Sequence, residues 1–86
     1  MIKISLTTQT ASKDYSCDAC LILLELLSTE DITLSEPEQE DWAYALHTGF
    51  QIKKHTPYIK LVYKESGSVR TLRAIPEIYK IIEEYL

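Results

Sequence analysis

The chain has 86 residues, 45% of them apolar, with a net charge of −4 at neutral pH and only two glycines and three prolines. That length suits one domain over residues 1–86, and the composition excludes a disordered or low-complexity chain. Basic residues are dispersed, with Lys53–Lys54 the densest cluster, which argues against a nucleic-acid surface; the longest apolar run, Ala19–Leu27, is interrupted by Glu25 and too short to span a bilayer.

Met1 to Thr7 alternates apolar and polar residues, with Ile2, Ile4 and Leu6 on one side, and predicts a short strand. Thr8 to Ser16 is polar and reads as a loop. From Cys17 to Ser28 the run CDACLILLELLS predicts a largely buried helix. Ile32 to Leu34 reads as a brief second strand. Ser35 with Glu38 three residues on, and Pro37 between them, predicts a helix opened by a capping box and carrying Trp42, Ala43, Ala45 and Leu46 inward, with Gly49 as its left-handed end.

Phe50 to Thr56 is expected to be a connector. Tyr58 to Lys64 alternates and is rich in branched and aromatic residues, a strand; Glu65–Ser66–Gly67–Ser68 is a hairpin turn, and Val69 to Arg73 the return strand. Pro76 opens a last amphipathic helix through Ile78, Ile81, Ile82 and Leu86. Strands 1 and 2 joined through a helix imply a right-handed parallel crossover.

Cys17 and Cys20 are the only cysteines. They share one helical turn at a helix N-terminus, where unpaired backbone N–H groups acidify a thiol. A disulfide between them would close a tiny loop and restrain the unfolded chain very little, so it suits a switch better than a staple. Asp18 places a negative charge beside the pair and is expected to oppose that acidification. The competing readings are inert packing of buried thiols and zinc binding. Zinc would need two further ligands, and His47 and His55 stand at spacings matching no familiar zinc pattern. His55 lines a groove or faces solvent; Tyr15 and Tyr58 border the sulfurs or pack as ordinary aromatics.

The order β-α-β-α-β-β-α, with CxxC opening the first helix and Thr56–Pro57 immediately before the third strand, resembles the minimal thioredoxin fold. Within it the chain is most similar to the glutaredoxins and small glutaredoxin-like redoxins, over essentially its whole length. The long Thr8–Ser16 loop resembles that of some phage-encoded glutaredoxins. The resemblance implies an α/β fold with a four-stranded mixed sheet flanked by three helices. It implies Cys17 as an exposed nucleophile, Cys20 as the resolving thiol, and a cis Pro57 facing the sulfurs, with Thr56 offering main-chain groups to the thiol substrate. Lys13 stands where family members often carry a lysine, and Tyr15 lies on the approach to Cys17. Arg73, in Arg73–Ala74–Ile75–Pro76–Glu77, stands where glutaredoxins usually carry a Gly-Gly pair and an acidic residue, and could pair with a carboxylate.

The implied activity is thiol–disulfide exchange on protein or glutathione mixed disulfides. No metal and no tightly bound cofactor are implied, with glutathione a candidate co-substrate. The implied partners are a disulfide-containing protein, ribonucleotide reductase being a family-typical client, and glutathione or a thioredoxin-reductase-type enzyme as reductant, with the chain acting as a monomer. The N-terminus lacks the features of a signal peptide, so a cytoplasmic location is expected. The alternatives are a non-catalytic binding or redox-sensing protein of the same fold and, further off, a small zinc-binding interaction module.

Overall fold

The computed structural model describes all 86 residues. The elements run β1 (Ile2–Thr10), β2 (Tyr15–Ser16), α1 (Asp18–Thr29), α2 (Glu36–His47), β3 (Gln51–Ile52), β4 (Pro57–Glu65), β5 (Ser68–Ala74) and α3 (Pro76–Ile82), with a closing 3-10 turn at Glu83–Tyr85. The expectation of one four-stranded mixed sheet is overturned. The main sheet has three strands in the order β1-β4-β5, and β2 and β3 form a separate two-stranded ladder. Every pairing is antiparallel. The structure is α/β with three helices and two sheets, and the minimal thioredoxin fold expected from the sequence is not confirmed.

The missing piece is the strand expected at Ile32–Leu34, which is irregular chain between α1 and α2. Ile32 and Leu34 are half-buried and pack against the core. Their alternation therefore arises from laying one side of an extended segment on the core, without a ladder partner. Without that strand there is no parallel crossover. The loop expected at Thr8–Ser16 is also revised, because Thr8, Gln9 and Thr10 extend β1 opposite Ile59, Tyr58 and Pro57. Tyr15 and Ser16 then pair with Ile52 and Gln51 inside the expected connector.

Other elements follow from local chemistry. The capping box of α2 is complete: the Ser35 amide donates to Glu38 Oε1 at 2.8 Å, and the Glu38 amide donates to Ser35 Oγ at 3.4 Å. The helix is followed by Gly49 at φ +69°, the left-handed exit at which a glycine lacks the Cβ penalty. Of its expected inward residues only Ala45 is fully buried; Trp42 is half-buried and stacks on Phe50 with ring centroids 5.2 Å apart. The β4–β5 hairpin turns through Ser66 and Gly67, both at positive φ (51° and 82°), as a two-residue turn matched to strand twist requires.

The core lies where α1 and α3 meet β4 and β5. It contains Ala19, Cys20 and Leu23 of α1, Leu61 of β4, Leu72 and Ala74 of β5, and Ile78, Tyr79, Ile81 and Ile82 of α3. Each fully buried aliphatic side chain contributes about 1.5–3 kcal/mol, so four aliphatic and aromatic residues on the seven-residue α3 dock a helix too short to be stable alone. β1 lies outside this cover: Leu6 sits opposite the buried Leu61 yet is 49% exposed. No helix is long and apolar enough to cross a membrane.

Candidate active site

Cys17 is the N-cap of α1, with extended backbone (φ −86°, ψ 102°). An N-cap side chain ordinarily offers oxygen to the free amides of the first turn. Here the acceptor is sulfur: Cys17 Sγ accepts from the Cys20 amide at 3.3 Å. A second amide, that of Ile75, donates to the same sulfur at 3.3 Å. It is free to do so because β5 ends at Ala74 and α3 starts at Pro76, leaving the Ile75 N–H outside both the ladder and the helix. The Cys17 amide donates to the Phe50 carbonyl at 2.8 Å, and the Phe50 amide is anchored to the Ala45 carbonyl at 2.9 Å. Phe50 sits at φ 60°. A left-handed bulky residue costs roughly 1–2 kcal/mol, and this one aims its carbonyl at the cysteine that starts the helix.

The two thiols are free and approach to 2.9 Å. The Cys20 thiol donates to Cys17 and is the largest influence holding the Cys17 thiol below its usual range. Burial opposes this, and the Ile75, Cys20 and Ala19 amides add to the lowering. Cys20 is pushed up, first by that same hydrogen bond, then by burial and by the charge on Cys17. The hydrogen bond therefore favours keeping the proton on Cys20 and stabilises the anionic form of Cys17.

Neither sulfur is open to solvent: Cys17 and Cys20 are both 0% exposed. The sequence places Cys17 at an exposed helix edge, and the structure corrects this. The N-terminus of α1 points inward, pinned between Phe50 ahead of β3 and Ile75 at the β5–α3 junction. The sulfur's surroundings are amide donors as well as hydrocarbon.

The Thr56–Pro57 segment departs from expectation. The structure contains no cis peptide bond, so Pro57 is trans. Thr56 offers no main-chain group to a substrate: its amide donates to the Lys53 carbonyl at 3.1 Å, and its carbonyl accepts from the Ala11 amide at 2.9 Å. The tight turn at Lys53–Thr56, with His55 at φ 72°, takes up the amide, and Ala11 just past β1 takes up the carbonyl. Pro57 does begin the strand as the sequence suggests, because it needs no ladder hydrogen bond from its nitrogen. The X–Pro junction that touches the sulfur is Ile75–Pro76, which the residues by themselves mark only as a helix start. The available signal was a proline directly after a strand end, which leaves the preceding amide unpartnered.

Tyr15, Lys13 and Arg73 are brought together, though around the tyrosine ring instead of the sulfur. The Arg73 guanidinium lies 4.5 Å and Lys13 Nζ 5.4 Å from the Tyr15 ring centroid, and Tyr58 packs against the same ring at 5.5 Å. The Tyr15 hydroxyl is made more acidic by its hydrogen bond with Ser12, against burial, with help from Arg73, Lys13 and Lys60. Arg73 Nε is buried without a partner. Asp18 turns to β5, where its Oδ2 accepts the Arg73 amide at 2.9 Å, tying the first turn of α1 to that strand. His47 and His55 are both exposed. No group of three or more His, Cys, Asp or Glu side chains is placed to hold a metal ion.

One cleft of about 470 Å³ adjoins the site. Its lining includes Ile75 and Pro76, Ile52 with Thr56–Pro57, and Asp41 and Tyr44 of α2. No local sequence pattern points to this cleft, since it joins residues from α2, β3, β4 and α3. Set against known proteins, the chain matches no family model, no curated protein sequence and no solved structure. Its own geometry carries the functional argument.

Proposed function

We propose that Cys17 and Cys20 form a redox-active dithiol that exchanges with the disulfide of a partner protein or thiol adduct, as a thiol–disulfide oxidoreductase. The observation that carries this reading is the set of donors on Cys17 Sγ: the Cys20 amide, the Ile75 amide and the Cys20 thiol all stabilise a sulfur anion. The reading keeps the chemistry implied by the resemblance to glutaredoxins on a differently built sheet.

In the first step the Cys17 thiolate attacks one sulfur of the partner's disulfide, forming a mixed disulfide and releasing a thiolate that takes up a proton. Cys20 then loses its proton and attacks Cys17 Sγ. The second partner sulfur leaves as a thiol, and a Cys17–Cys20 disulfide remains. The partner gains two electrons and two protons; the pair gives up both electrons and the Cys20 proton, and solvent supplies the second proton. An external thiol reductant, glutathione or a reductase-supplied dithiol, returns the pair to its reduced form. A reducing compartment such as the cytoplasm keeps it poised for this reaction.

Complete burial of both sulfurs favours a second reading, a redox-responsive protein whose pair closes internally under oxidation without turnover. Insulin reduction and hydroxyethyl disulfide reduction separate the two. Turnover that disappears in Cys17→Ser, with a mixed disulfide trapped in Cys20→Ser, establishes the oxidoreductase. An internal disulfide formed by a mild oxidant without turnover in either assay selects the sensor. If no internal disulfide forms, both readings fail.

A further inference from the structure

The cleft beside the dithiol is charged in one sense. Three carboxylates lie in its lining, Glu40 and Asp41 on α2 and Glu77 on α3, against one cation, Lys53. The Lys53 ammonium is held to Gln51 Oε1 at 2.8 Å. The carboxylates come from two helices and line a cavity of about 470 Å³ whose lining also includes the apolar Ile52, Ile75 and Pro76. That lining suits a side chain with a long apolar stem and a cationic head. Asp41 is held above its ordinary range by burial first and then by repulsion from Glu77, Glu40 and Glu38, with Lys80 countering.

The cleft is also joined to the chemistry. Ile75 both lines the cleft and carries the amide that donates to Cys17 Sγ, so a single residue links the cleft to the sulfur.

We propose that this cleft is a substrate-docking site that takes a lysine or arginine side chain of the disulfide-bearing partner, so that the dithiol selects basic polypeptide segments. The inference rests on the dithiol reading above and adds the substrate class to it. The matching charge and the apolar lining act together: the carboxylates steer a cationic segment in, and the stem covers Ile52 and Pro76. A net-anionic thiol such as glutathione is disfavoured by the same field.

The test uses two synthetic disulfide peptides of equal length, one flanked by lysine and arginine, the other by glutamate, and a basic peptide with serines in place of its cysteines. The expected result is oxidation of the reduced protein by the basic disulfide roughly tenfold faster than by the acidic one. That ratio falls in high salt and approaches one in the triple variant E40Q/D41N/E77Q. The disulfide-free basic peptide binds the wild-type chain in calorimetry and loses most of that binding in the triple variant. Equal oxidation rates by the two disulfides, or a ratio that survives the triple variant, overturn the proposal and leave the dithiol reading standing. If neither disulfide oxidises the protein, the dithiol reading falls, and calorimetry alone decides the cleft: failure of the wild-type chain to bind the basic serine peptide, or equal binding by the triple variant, refutes it.

Discussion

Removing the Cys20 thiol tests the electronic description of the site most directly. In Cys20→Ala the Cys17 sulfur keeps its two amide donors at 3.3 Å and loses the donor that does most to lower its pKa. A hydrogen bond to a charged acceptor is worth about 1.5–3 kcal/mol, and 1.36 kcal/mol corresponds to one pKa unit. The Cys17 titration should therefore move up by roughly 1–2 units. Cys20→Ser keeps a donor in the same place, with an O–H in place of S–H, and should move it by well under half as much. Each variant has a single cysteine, so thiolate absorbance in the ultraviolet, followed against pH, reports Cys17 alone. An alanine variant that titrates within a few tenths of the serine variant would refute the reasoning. The acidity of Cys17 would then come from the backbone amides, and the pair would not share a proton.

Three further outcomes follow from the same geometry. Cys17 binds its proton less tightly in the folded chain and Cys20 more tightly. Between the folded Cys17 value and the unfolded value of about 8.5 the unfolded state carries more protons, so stability rises with pH. Above about 8.5 the folded state retains the Cys20 proton that the unfolded state releases, so stability falls. Denaturant midpoints of the reduced protein should peak near that pH, and should lose the peak in a double serine variant. Ser35→Ala removes the cap of α2 and should cost about 1 kcal/mol in urea unfolding, with Ser35→Gly milder. Gly67→Ala meets nothing within 4 Å, yet Gly67 sits at φ +82°. The loss is conformational alone, about 1 kcal/mol, and Gly67→Asn should recover part of it in thermal melts.

Elements whose cues are local were readable from the residues. The N-terminus of α1, the capping box at Ser35–Glu38, the Ser66–Gly67 turn and Pro76 at the start of α3 each depend on a few neighbouring residues. The misreadings share one cause, which is that a strand needs a partner that sequence alternation does not name. Ile32 and Leu34 alternate because one side rests on the core, whereas Thr8–Thr10 lacks apolar alternation and still pairs with β4 because both its faces are wet. The site divides in the same way. The pairing of Cys17 with Cys20 is a matter of helical spacing and was legible. The burial of both sulfurs comes from a core assembled from several elements, and the cleft joins four, so neither was.

The Ile75 amide ends one element, precedes another and holds the sulfur anion. Firmness of the C-terminal helix and reactivity of the thiol are consequently one property measured in two ways. A substitution that merely loosens Ile78 or Ile82 from the core would let that amide drift and would present itself in an assay as a chemical defect. Mutational maps of such a protein need a folding measurement beside every rate, or distant packing residues will be mistaken for members of the reaction centre.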